Sequence, residues 1–168
     1  MAAGDRAYWV DLADLLRPPI CKLVKQDAVS IPNATITALS FGAGSEEIKT
    51  QTSMHSTSTN PSRITVPTAG YYDVRCNMTW AFNTTIAYGD IIIYQNGNPV
   101  SYSGNFKYTT PLPNNVAVGG WYYSDILQAA AGDYFEMRVR HNSTGAVAQT
   151  TQSGEARTRF TVKFERPI

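Results

Sequence analysis

The chain has 168 residues and a formal net charge of +1, enough length for one domain with its own core and no need of metal or disulfide staples. Charged residues make up 16% of it, well below the usual quarter or so. They form no Lys/Arg stripe, which argues against nucleic acid as a partner. No apolar run approaches the length of a membrane span, so no membrane partner is expected. The residues after Met1 lead into no apolar signal segment, and the protein is expected to stay where it is made or to leave on lysis.

The first element is an arm. In residues 7–16, Trp9, Leu12, Leu15 and Leu16 recur at spacings of three and four, the stripe of a helix. Asp5 is a candidate N-cap and Pro18-Pro19 a stop. A helix this short is marginal alone in water, so its apolar face must dock, either on a neighbouring protein or on an edge strand of its own domain.

After Pro19 the period becomes two. Residues 20–26 form a candidate first strand, 34–41 a β-branched second and 46–52 a weaker third, while 53–62, rich in Ser and Thr with Asn60-Pro61, reads as a loop. The clearest strand covers residues 71–82. There Tyr72, Val74, Cys76, Met78, Trp80 and Phe82 share one face, and Trp80 is predicted to be core. Strands over 90–95 and 100–108 flank Asn96-Gly97, whose two residues tolerate positive φ and so predict a hairpin. Further strands are predicted over 121–128, 134–140 and 156–165, with Phe135, Met137, Val139, Thr158, Phe160, Val162 and Phe164 inward. About eight half-apolar strands without a helix among them predict two sheets packed face to face.

Chemistry is sparse. The two histidines, His55 and His141, lie in no nucleophile–base motif and are expected at the surface. Cys21 and Cys76 sit far apart in no metal spacing; free buried thiols are expected, with pairing left open. No phosphate-binding glycine loop is present. Asp73, Asp90, Asp125, Asp133 and Glu136 lie on or beside strands, mostly at outward or turn positions, so a facing catalytic pair is not expected. The sequons at Asn33, Asn77, Asn83 and Asn142 read as unmodified. Adjacent Trp121, Tyr122 and Tyr123 cannot all point into one core, so they are candidate interface or ligand aromatics, with an interface favoured over a sugar. No catalytic, cofactor or metal residues are assigned.

Pro67-Thr-Ala-Gly70-Tyr-Tyr72-Asp-Val74 resembles the Pro-x-x-Gly-x-Tyr-x-Phe/Val segment of tumour-necrosis-factor-like and complement-head-like jelly rolls. Residues 131–136 resemble their Gly-Asp turn into a strand, and residues 159–162 their closing strand. Residues 29–41 are similar to the opening of small bacteriophage-encoded members, which often carry a short arm ahead of the domain. The Pro/Asn/Gly-rich segment 109–120 departs from the pattern.

The resemblance implies an all-β, two-sheet jelly-roll sandwich, here residues 27–168, behind an N-terminal helical arm, residues 1–26. It implies a homotrimer without catalysis or cofactor. For phage members it implies a structural virion protein on the virion surface, as head decoration, head fibre or tail component, held by the arm to major capsid or tail proteins. The alternative is a module for host-surface glycans or a receptor.

Overall fold

The computed structural model describes residues 17–25, 27–81, 86–103, 120–143, 149–151 and 158–168. Within them lie twelve strands and a short 3-10 turn at Thr52–Met54. The strands are β1 (Ile20–Val24), β2 (Ser30–Ile31), β3 (Thr37–Ala38), β4 (Glu46–Lys49), β5 (Arg63–Thr65), β6 (Gly70–Ala81), β7 (Ile86–Gln95), β8 (Asn98–Tyr102), β9 (Gly120–Ala129), β10 (Tyr134–Ser143), β11 (Gln149–Thr151) and β12 (Arg159–Arg166). One sheet runs β2-β11-β6-β12-β1-β4, with β9 also paired to β6. The other runs β3-β10-β7-β8, with β5 also paired to β10. All pairings are antiparallel.

The two-residue alternation of the sequence decides what each sheet buries. From β6, Tyr72, Val74, Cys76, Met78 and Trp80 point inward and are fully buried; Ile91 and Ile93 of β7 and Phe135, Met137 and Val139 of β10 meet them from the second sheet. Two aromatic groups mark the two ends of β6. At one, Tyr72 packs edge-on to Phe164 at 5.4 Å and against Phe135 at 6.4 Å. At the other, Trp80 packs edge-on to Trp121 at 5.4 Å and to His141 at 5.3 Å. Each such pair adds about 0.5–1.5 kcal/mol beyond its buried area. The Tyr72 hydroxyl donates to the Thr68 carbonyl at 2.7 Å, which satisfies its one buried polar group.

The β7–β8 turn is the expected hairpin, with φ of 52° at Asn96 and 80° at Gly97 and with Gln95 opposite Asn98. Asp133 ties this turn to the β9–β10 turn, accepting from Asn96 Nδ2 at 2.7 Å and from the Ala130 amide at 2.8 Å. Hydrogen bonding from Asn96 holds its carboxyl below the ordinary value, against the opposing effect of burial.

Three expectations are corrected. An arm reaching residue 26 is too long, because Ile20–Val24 is an interior strand between β12 and β4, and the Phe164 amide donates to the Pro19 carbonyl at 2.8 Å. Only Thr37–Ala38 of the expected strand 34–41 pairs, whereas Arg63–Thr65, Ser30–Ile31 and Gln149–Thr151 are strands that alternation over so few residues could not announce. The histidines are not at the surface: His55 and His141 are both buried. Cys21 and Cys76 are buried inside the core and are not joined in a disulfide, and burial pushes the Cys76 thiol far up.

Candidate interaction faces

Burying one face of each sheet leaves two outer faces and the edges. On the outer face of the first sheet, the strict register of β6 with β9 sets Asp73 opposite Ile126, Arg75 opposite Ser124 and Asn77 opposite Tyr122. Arg75 Nε donates to the nearly buried Asp73 carboxylate at 2.6 Å. A shallow depression lies there, lined by this pair with Tyr122, Ser124, Asp125 and Ile126.

Strands β8 and β9 belong to different sheets, but a polar clasp joins them. Ser101 Oγ donates to Asp125 Oδ2 at 2.6 Å and shares a hydrogen bond with the Tyr123 hydroxyl. Large apolar side chains stand in solvent around the clasp. Ile126 is 61% exposed, Tyr102 56% and Tyr122 54%, with Val100 also exposed.

The register thus separates the three adjacent aromatics of β9. Trp121 lies in the core, with its ring over Gly89 of the facing sheet. Tyr122 points outward and Tyr123 is half-buried at the clasp. Trp9, Leu12, Leu15 and Leu16 of the arm lie outside the described residues.

The second outer face carries charges that the sequence reading left unassigned. Glu136 accepts from Arg138 Nη2 at 2.6 Å and Nε at 3.1 Å, from Arg63 Nε at 3.2 Å and from Ser62 Oγ at 3.0 Å. Burial pushes the Glu136 carboxyl up, but those four donors outweigh it and hold it below its ordinary value. Asp90 of β7 accepts from Arg140 Nε at 2.9 Å and from its Nη2. The guanidinium of Arg138 covers the ring of Tyr94 at 3.9 Å, that of Arg63 covers Tyr134 at 4.0 Å, and that of Arg140 lies 5.7 Å from Tyr88. Of these residues, the sequence had named only Asp90 and Glu136, among carboxylates mostly at outward or turn positions. Nothing local in the sequence showed that Arg63, 73 residues from Glu136, would share its carboxylate.

His141 is the one strongly desolvated base on β10. Its Nε2 lies 2.9 Å from the Ile31 carbonyl. Donation there requires the Nε2–H tautomer, which leaves Nδ1 a buried acceptor with no partner among the described residues. Burial pushes its pKa down, so the ring is neutral near pH 7. Among the described residues, no group of three or more His, Cys, Asp or Glu side chains gathers as a metal site. No described helix is long and apolar enough to cross a membrane.

This pair of sheets, with β6 flanked by β12 and β9 and facing β10-β7-β8, is a jelly roll of the tumour-necrosis-factor type. The solved structures it resembles include crystal structures of murine APRIL. Those at pH 8.5, pH 5.0 and pH 8.0 superpose with TM-scores of 0.57, 0.58 and 0.59, at 11%, 11% and 10% sequence identity. Each match covers 89% of this chain and 100% of the APRIL chain. At that identity the likeness speaks for the fold alone. No family model matches the sequence, and no curated protein matches it.

Proposed function

We propose that the chain is a self-assembling structural protein with no catalytic role: a homotrimeric jelly roll on the surface of a tailed bacteriophage, held by its N-terminal arm to capsid or tail proteins. The observation that carries the assembly part is the apolar edge of β8 and β9. Val100 and Tyr102 on β8, and Tyr122 and Ile126 on β9, stand in solvent on strands that are sheet edges among the described residues. Edge strands of stable monomers are usually blunted by charge, and exposed aromatic and aliphatic clusters mark interfaces. Three copies meeting through this edge would cover it with closed symmetry. The virion part rests on the resemblance of residues 29–41 to phage-encoded members and on the apolar stripe of the arm.

Sedimentation equilibrium tests the assembly. The wild-type chain is expected as a trimer at micromolar concentration, and Tyr122→Ser/Ile126→Ser as a folded monomer with an unchanged core. A wild-type monomer refutes the trimer. Deleting residues 1–16 tests the anchor without touching the Pro18 and Pro19 carbonyls, which accept from Thr50 Oγ1 and the Phe164 amide. The truncated chain is expected to stay folded and trimeric but to fail to join particles lacking the protein. Normal incorporation refutes the anchor.

A further inference from the structure

The outer face of the second sheet gathers every charged side chain of its strands into one band. Glu136, Arg138 and Arg140 alternate outward along β10. Arg63 of β5 stands opposite Glu136, and Asp90 of β7 opposite Arg140. The band is layered. The side chains of Glu136 and Asp90 are 4% and 5% exposed, while those of Arg63, Arg138 and Arg140 are 36%, 28% and 34% exposed. Three cations and two anions leave a formal excess of +1, but solvent meets mainly the cations.

Each guanidinium is fixed before any ligand arrives. A buried carboxylate holds one edge and a tyrosine ring supports the plane for Arg63 and Arg138, with Tyr88 near Arg140. Among the described residues, no acceptor engages Nη1 of Arg138 or Arg140. A guanidinium so held offers a preorganised N–H edge, the geometry that receives a carboxylate in-plane. Arg138 and Arg140, two residues apart on one strand, lie roughly 7 Å apart along the face.

We propose that this band binds an acidic polysaccharide laid along β10, its uronate carboxylates received by Arg138, Arg140 and Arg63. The inference is independent of the trimer and of the arm, since it uses neither the β8–β9 edge nor residues 1–16. A nucleic acid fits less well. Guanidinium groups cover Tyr94 and Tyr134 at 3.9 and 4.0 Å, so these two rings are not open to stacking by bases.

The test is retention of the full chain on immobilised polygalacturonate at about 50 mM salt, beside immobilised dextran and duplex DNA. Wild type is expected to be retained on polygalacturonate and not on dextran, with duplex DNA bound more weakly. Arg138→Gln is expected to weaken retention about tenfold or more, as loss of a charge-assisted fork should. It leaves Glu136 with Arg63 and Ser62 as partners. Asp90→Asn/Arg140→Gln removes both charges of a pair together and carries the test if the single variant fails to fold. Lys163→Gln on the opposite sheet should bind as wild type does. Folded wild type that is not retained overturns the proposal, as does equal retention of both band variants. Binding to duplex DNA as tight as to polygalacturonate also overturns it, in favour of an unselective polyanion surface.

Discussion

Gly89→Ala should destabilise this protein, although the same change in an ordinary strand should help it. Replacing a strand-interior glycine by alanine normally gains about 0.5–1 kcal/mol through the unfolded chain. Gly89, however, lies in β7 opposite His141, under the indole of Trp121 from the other sheet. A methyl group there would sit 1.9 Å from Trp121 Cη2 and 2.4 Å from Cζ3. Ordinary carbon contacts are about 3.5–4.0 Å, so the ring must retreat by about 2 Å or the sheets must part. Trp121 is fully buried and packs on Trp80, which in turn packs on His141, so there is little room to retreat. Overpacking of this kind costs about 1–3 kcal/mol. Complete expulsion of the indole sets an upper bound of about 5 kcal/mol, from roughly 200 Å² at 25 cal/mol per Å². The net expectation is a loss of about 2 kcal/mol, or a fall in Tm of about 4–8 °C for a domain of this size. Urea and thermal unfolding read it, with near-UV circular dichroism reporting the indole pair. Combining Gly89→Ala with Trp121→Leu should recover about 1 kcal/mol or more of the summed single losses, because the smaller side chain removes the clash. A Gly89→Ala protein as stable as wild type would refute the packing of Trp121 on Gly89.

Other perturbations have distinct signatures. Trp80→Ala should cost about 3–5 kcal/mol in chemical denaturation, since it empties the centre of the Trp121–His141 group. Tyr72→Phe should cost only about 1 kcal/mol, for one lost hydrogen bond to Thr68 with the ring packing kept. His141 makes stability depend on pH with a definite sign. Its folded pKa lies below the ordinary value, so above about pH 6.5 both states are neutral and its contribution is fully present. As pH falls below that, the unfolded chain takes the proton first, and stability drops by up to about 1.4 kcal/mol per unit until the folded pKa is reached. His141→Gln should flatten that slope in melting curves between pH 7 and 5. The depressed carboxyls of Glu136 and Asp133 act lower, their contribution being lost as pH falls below the ordinary carboxylate range of about 4.

Alternation was legible wherever a strand was long enough to repeat itself. The inward sets of β6, β10 and β12 could be read from one-dimensional order because a pleated strand turns every second side chain to the same face. The Asn96-Gly97 hairpin could be read for a similarly local reason, as its backbone needs positive φ at both residues. The tumour-necrosis-factor-like motif pointed to the jelly roll that the strand order shows.

What the sequence left open depends on pairings between distant residues. Strands of two or three residues, such as Ser30–Ile31 and Arg63–Thr65, exist because a neighbour offers hydrogen bonds, and they carry too few residues to show a period. Ile20–Val24 belongs to the domain because β12 and β4 flank it, a fact that residues 20–24 do not contain. His141 was read as a surface histidine because the predicted strand stopped at residue 140; β10 in fact continues to Ser143, so the same period that turns Phe135, Met137 and Val139 inward buries His141 beside Trp80. The split of Trp121, Tyr122 and Tyr123 into core, solvent and clasp was fixed by the register of β9 on β6. The cationic band likewise needs β5, β7 and β10 side by side before Arg63 can share a carboxylate with Arg138. The sequence alone determined which side chains share a face, because that follows from local backbone geometry; which faces meet was decided only by tertiary pairing across dozens of residues.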